Sequence, residues 1–170
     1  MAIIDADFLS SFFKIHKLKL ILASFNIKNL VVPSTVYEEL KNSNFFEDIS
    51  HLFVFKEEDL TEKSYILVKH VNLNLLSKYF DAKKLGIFGK GEIGCLLLAK
   101  ETDDKVLIDD KRARDFAKEN KIDAASIPSF LIYCKNKNII SSKEMRQIVK
   151  DLKEKDYYRF TKEIEKLLFR

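Results

Sequence analysis

The stretch Lys105-Val-Leu-Ile-Asp-Asp-Lys-Arg-Ala-Arg-Asp-Phe-Ala117 constrains the fold of this chain more than any other. An unbroken apolar run, Val106 to Ile108, stops at two adjacent carboxylates, and apolar residues resume at helical spacing with Ala113, Phe116 and Ala117. The run reads as a strand buried on both faces of a parallel sheet, followed by a helix. Asp109 and Asp110 then stand at a strand's carboxyl end, the edge where open α/β sheets bind their ligands. Asp110 would also make a good helix N-cap. Capping leaves Asp109 without a role, and it leaves Lys111, Arg112 and Arg114 in a first turn where the helix dipole disfavours cations. A phosphate backbone would favour them there; the plainer reading of the three is a solvated face.

The amino terminus repeats this logic. Ala2-Ile-Ile-Asp5 is a short apolar strand ending in an acid, followed by Asp7 and by Phe8, Leu9, Phe12 and Phe13 on a helix. Leu18 to Phe25 suits a second helix. Asn29 to Pro33 reads as a strand closed by a proline, and Ser34 is placed to cap a helix bearing Tyr37, Glu38 and Glu39. His51 to Lys56 is a plausible third strand, and the dense apolar content from Ile66 to Tyr79 predicts a long helix over Thr61 to Phe80. Asp81 to Phe88 reads as a linker. Gly89-Lys-Gly-Glu92 opens another helix with Ile93, Leu96, Leu97 and Ala99 as its buried stripe; its glycines permit close backbone approach. Ile122 to Ser126 is a last short strand, and Pro128 fits the first turn of the next helix. Amphipathic helices over Ser142 to Lys153 and Tyr157 to Phe169 finish the chain. Strands alternating with helices predict an α/β fold, a parallel sheet covered on both faces.

At 170 residues the chain fits one domain with a sizeable core. Cys95 and Cys134 are far apart in apolar contexts, which argues against a disulfide framework or a thiolate metal site. The three histidines, His16, His51 and His70, are scattered, which argues against a zinc site. Asp5 and Asp7 occupy the place of a signal peptide's basic and apolar regions, and no segment is long enough to span a bilayer, so a cytoplasmic protein without a membrane partner is expected. A net charge of +4 permits a nucleic-acid partner without requiring one.

Asp5, Glu39, Glu92 and Asp110 each fall at a strand's carboxyl end or in the first turns of the helix after it. In a parallel sheet these points converge on one edge. Carboxylates gathered there repel one another unless a cation is present, and hard oxygen ligands select Mg2+ or Mn2+. Singly, each has a plain explanation as a turn, surface, helix-start or capping residue.

The order of these motifs resembles the PIN domain family. The resemblance runs through Ile3-Ile4-Asp5-Ala6-Asp7, Val32-Pro33-Ser34-Thr35-Val36-Tyr37-Glu38-Glu39-Leu40, Gly89-Lys90-Gly91-Glu92 and Leu107-Ile108-Asp109-Asp110-Lys111-Arg112-Ala113-Arg114, and spans most of residues 1 to 137. The last segment looks particularly like PIN-like proteins described as predicted nucleic-acid binders. The resemblance implies a three-layer α/β/α sandwich, here one PIN-like domain over residues 1 to 170 with an extended segment at 41–88 and C-terminal helices within 138–170. It also implies a divalent-metal endoribonuclease similar to VapC-type toxins, with Asp5, Glu39, Glu92 and Asp110 as the family acids. In that picture Asp5, Glu92 and Asp110 are metal ligands, Asp109 is an auxiliary ligand, and Glu39 is a ligand through water or the base that orients the attacking water. Lys90, Lys111, Arg112 and Arg114 contact the flanking phosphates of RNA, with Asp7 and Ser34 auxiliary. Asp7 stands where the family usually has Asn or Ser. A homodimer built on the long helix or the C-terminal helices, and an antitoxin protein partner, are the assemblies the resemblance brings into view.

Two other readings compete. The chain could be an RNA-binding or complex-forming module of the same fold without turnover. Asp5-Ala6-Asp7, Ser34 and Asp109-Asp110 also resemble part of a haloacid-dehalogenase-type phosphatase, with Asp5 as a covalent nucleophile, although that reading gives Glu39 and Glu92 no task.

Overall fold

In the computed structural model, which describes residues 1–170, six parallel strands form one sheet. The chain runs through β1 (Ala2–Ile4), α1 (Ala6–Lys14), α2 (Leu18–Phe25), β2 (Leu30–Pro33), α3 (Ser34–Leu40), α4 (Phe46–Ile49), β3 (Phe53–Val54) and β4 (Ile66–Lys69). It continues through α5 (Leu76–Tyr79), α6 (Lys90–Thr102), β5 (Lys105–Leu107), α7 (Lys111–Glu119), β6 (Ala124–Ala125), α8 (Ile127–Asn136), α9 (Ser142–Lys155) and α10 (Lys162–Phe169). The strand order is β3-β4-β2-β1-β5-β6, and every pairing is parallel. Ala2 is in register with Leu30 on one side and Lys105 on the other. From β1 the chain first moves toward β2, and after β4 it returns through α6 to β5 on the far side. The direction of winding therefore reverses between β1 and β5, which opens a crevice at their carboxyl ends.

β1 and β2 are buried throughout, as their unbroken apolar sequences require of inner parallel strands. α6 lies across β1, β2 and β5 and packs against α3, and Gly91, Gly94 and Cys95 to Ala99 are all buried, so it is enclosed on nearly every side. On α1 and α8, Phe8, Phe12 and Phe130 interlock, with Phe8 stacked on Phe12 at 5.1 Å between ring centres and Phe130 edge-on to both. Buried apolar side chains from all six strands' neighbourhoods join one core of 46 residues. The architecture is the three-layer α/β/α sandwich that the sequence predicts.

Three elements differ from expectation. The long helix over Thr61 to Phe80 does not form: Ile66–Lys69 is β4, seated between β2 and β3. Ile66 and Val68 are β-branched and the run is buried from Tyr65 to Val68, as suits an inner strand. Beyond it the Asn72 side chain accepts the Asn74 N–H at 3.1 Å, making a tight turn over Leu73–Leu75 before the single turn of α5. The third strand pairs only at Phe53–Val54, a short edge. The last helix begins at Lys162, because Thr161 caps it by accepting the Ile164 N–H; residues 156–160 form an irregular strap before it. No helix is long and apolar enough to cross a membrane.

Candidate functional site

The winding reversal places Asp5 and the Asp109–Asp110 pair just beyond the ends of the neighbouring strands β1 and β5. The Asp5 N–H bonds to the Leu107 carbonyl at 3.0 Å, which extends the β1–β5 ladder to the acid itself. Asp5 is 5% exposed and its Oδ1 accepts the Phe8 N–H at 2.8 Å, capping α1. Asp110 caps α7 in the same way, Oδ1 accepting the Ala113 N–H at 2.9 Å. Both acids therefore satisfy helix starts; Asp5 is buried, and Asp110 lines the cleft beside the strap. Glu39 is carried by α3, the helix after β2. Its Oε2 lies so close to α6 that a Cβ on Gly91 would sit 2.3 Å from it, so the glycine in Lys90-Gly91-Glu92 makes room for the acid. Glu92 folds back onto its own helix start, its Oε2 accepting the Gly89 N–H at 2.9 Å.

The charges feel one another. Burial pushes the Asp5 carboxyl well above the usual range, and Asp7 and Asp109 add to the rise against the pull of the Phe8 N–H. Glu39 is raised by loss of solvent, then by Asp7 and Glu92. Glu92 is raised by loss of solvent and by Asp110 and Asp7, with the Gly89 N–H and Arg112 opposing. At the centre is the Cys95 thiol, fully buried with its Sγ 3.8 Å from the Ile4 carbonyl. Burial raises it strongly, and Asp5, Glu39 and Glu92 each raise it further. The buried thiol thus feels Asp5 at the start of α1, Glu39 on α3 and Glu92 on α6. As they stand, no three of these side chains converge closely enough to share one ion. The donor set suits a hard divalent cation in its chemistry, being all carboxylate and short of positive charge.

Other expected site residues are engaged differently. The Asp109 carboxylate, expected as an auxiliary ligand, accepts the Ile127 N–H at 2.9 Å and the Tyr158 hydroxyl at 2.8 and 3.1 Å to its two oxygens, so it anchors the strap. Arg114 is also committed, its guanidinium donating to the Ile108 and Asp109 carbonyls and stabilising the acidic corner, which differs from a phosphate contact. Ser34 does not cap α3: its helix is preceded by Pro33 with no side-chain cap, and the Ser34 hydroxyl accepts the Val71 N–H at 3.2 Å. Lys111 pairs with Asp115 at 2.7 Å on the exposed face of α7. Arg112 remains at the rim, Nε 3.9 Å from Asp110, and Lys90 is exposed and makes no ion pair.

A cleft of about 430 Å3 opens beside these acids, between α1 and the strap. Asp7, Glu92, Asp109 and Asp110 line it, and so do Ser11 and Lys14 on α1 and Asp156 to Arg159, none of them among the expected site residues. Asp156 accepts Ser11 Oγ at 2.5 Å and Lys14 Nζ at 2.6 Å. The local signal available was Thr161, whose capping chemistry frees the preceding residues from the helix.

Comparison with known proteins returned no match among curated proteins and none among solved structures. A family model described as a PIN domain does match, over residues 1–170. Its span takes in both the four acids at the sheet edge and the strap that closes the cleft, and by that match the chain belongs to the PIN domain family, a nuclease-type fold whose members typically use divalent metals.

Proposed function

We propose that the chain is a divalent-metal-dependent endoribonuclease, of the kind found among toxin-type PIN nucleases, with Mg2+ or Mn2+ as cofactor and RNA as substrate. The observation that carries this reading is the gathering of acids at the winding reversal: Asp7, Glu92 and Asp110 line one cleft, and Asp7 raises the carboxyls of Asp5, Glu39 and Glu92 alike, with Arg112 opposing at Glu92. Asp5, Glu92 and Asp110 would hold the cation. Bound there, it supplies Lewis acidity to a phosphodiester and lowers the pKa of water at the site. Glu39, on the opposite helix, would take a proton from the attacking water, and its raised pKa brings it nearer to the operating pH of a general base. Arg112 and Lys90 at the rim would position flanking phosphates without reading sequence. No side chain need act as nucleophile: Asp5, buried and capping α1, is poorly placed for covalent attack, so the phosphatase reading has no support here.

The second reading, a non-catalytic RNA-binding module, is favoured by one observation, that the acids do not converge on a coordination point. Cleavage of a mixed pool of labelled single-stranded and structured RNAs separates the two. With Mn2+ or Mg2+ the wild type should cut, EDTA should abolish cutting, and Asp110→Asn should lower it by about 100-fold or more. Asparagine caps a helix as well as aspartate, so that variant removes the charge and keeps α7. Retention of RNA regardless of metal, with no cutting, would replace the nuclease with the binding module. An antitoxin partner or a homodimer would be sought by the same preparation's assembly state.

A further inference from the structure

The strap over residues 156–160 is pinned at two points. Asp156 is tied to Ser11 and Lys14 on α1, and Tyr158 donates its hydroxyl to Asp109 at the end of β5 while its N–H bonds to the Leu152 carbonyl at 3.0 Å. Tyr158 also packs against Phe160, ring centres 4.7 Å apart. Between the anchors, Tyr157 is turned outward with φ at 54° and is 84% exposed. A bulky residue at positive φ is uncommon and strained, and a tyrosine that large would ordinarily be at least half covered. The pinned neighbours hold it on the wall of the carboxylate cleft. Beside it, Arg159 is exposed and makes no ion pair, whereas the other cation of that cleft, Lys14, is taken by Asp156.

We propose that Tyr157 and Arg159 form a platform on the cleft wall that seats an unpaired nucleotide of a single-stranded nucleic acid, its base on the Tyr157 ring and a neighbouring phosphate on Arg159. The inference rests on the nuclease reading above for the location of the scissile bond, and adds to it a binding subsite supplied by this chain's own strap. The chemistry is suited to the place. Asp7, Glu92, Asp109, Asp110 and Asp156 make most of the cleft hostile to phosphate, so beyond the contact at Arg159 affinity there must come from a contact that carries no charge, and stacking on an aromatic face is such a contact. A duplex hides its base faces and cannot use the platform; an unpaired base can.

The chain has no tryptophan, so Tyr157→Trp places a single indole on the platform. On an Asp110→Asn background that suppresses cleavage, in Mg2+ buffer, the indole fluorescence is titrated with a single-stranded RNA, the same sequence as DNA, and an RNA duplex. Saturable quenching by single strands and none by the duplex is the expected result; quenching by RNA alone or by both polymers upholds the platform and identifies the polymer. In parallel, Tyr157→Ala should weaken binding of a labelled single strand by roughly 10-fold or more and Tyr157→Phe should retain it, with melting temperature unchanged in both. No quenching by any polymer, or wild-type affinity in Tyr157→Ala, overturns the platform. If the wild type meanwhile cuts RNA with metal, the nuclease reading stands without it; if quenching occurs and the wild type cuts nothing, the platform stands and the nuclease reading falls.

Discussion

Asp5 cannot be understood apart from the acids around it. Its carboxylate caps α1 and its backbone N–H extends the β1–β5 ladder, so the fold needs it where it is, and Glu39 and Glu92 are brought up against the same region by α3 and α6. A carboxyl whose folded pKa lies above its unfolded value holds its proton more tightly when folded. The stability it contributes is complete below the unfolded pKa and is lost as pH rises through the folded one. Glu39 and Glu92 both follow this direction. Glu144, pulled down by the Ser141 N–H, follows the opposite one, so the informative quantity is the difference between variant and wild type and not either curve alone. In metal-free buffer, Glu39→Gln and Glu92→Gln should leave the melting temperature near the wild-type value at about pH 4 and raise it above wild type by about pH 7. Glutamine keeps an oxygen for the Gly89 N–H, so the gain at position 92 isolates the charge. A difference that does not change with pH would show that these acids do not strain the folded state.

Helix α6 reaches the sheet because two glycines let it approach the β2–α3 elbow, and they make different demands. A Cβ at Gly94 would meet Thr35 Oγ1 at 1.9 Å and the Cβ atoms of Pro33 and Thr35 at 3.2 Å, a short, stiff wall. At Gly91 it would meet the end of the Glu39 side chain, which can swing aside. Alanine gains about 1 kcal/mol in helix propensity at either site. Overpacking of about 1–3 kcal/mol should outweigh that gain at Gly94, lowering the urea midpoint. At Gly91 the midpoint should hold or rise while metal-dependent cleavage falls, since the displaced group is the acid and not the scaffold. Equal loss of stability in both would mean that Glu39 is held rigidly. The Gly89-Lys-Gly-Glu92 pattern announced close approach but could not say what approached, because the partner lies in α3. Elements whose signals are local were legible in this way: the apolar runs of β1, β2 and β5, the acids that end them, and the caps at Asp5 and Asp110. The segment from Ile66 to Tyr79 was not, since its apolar residues fit a helical stripe as well as a buried strand, and only pairing with β2 and β3 decides between them. The partners of Asp109 and Ser34 were hidden for the same reason: Tyr158, Ile127 and Val71 reach them through contacts between distant parts of the chain.

The strap joins regions that are otherwise far apart along the chain. Through Asp156 it holds α1, through Tyr158 it holds the acidic corner after β5, and at Thr161 it hands over to α10, which packs on α8 and α9. The Tyr158 hydroxyl is raised far above the ordinary tyrosine range by burial and by Asp109, so it stays protonated and donates at any pH the fold survives. Tyr158→Phe keeps the ring against Phe160 and deletes the donor, leaving the Asp109 carboxylate with the Ile127 N–H. A hydrogen bond to a charged group contributes about 1.5–3 kcal/mol, and partial exposure here places the loss toward the lower end. The urea midpoint should fall with the slope unchanged, because the surface exposed on unfolding is the same. Hydrogen exchange should identify where: amides of residues 157–161 should exchange faster, and those of β1 and β2 should keep the protection of global unfolding less the overall loss. Uniform acceleration across the sheet would mean the bond belongs to the core's cooperative unit. Local acceleration would show that one hydroxyl keeps the wall of the cleft closed against the acids it faces.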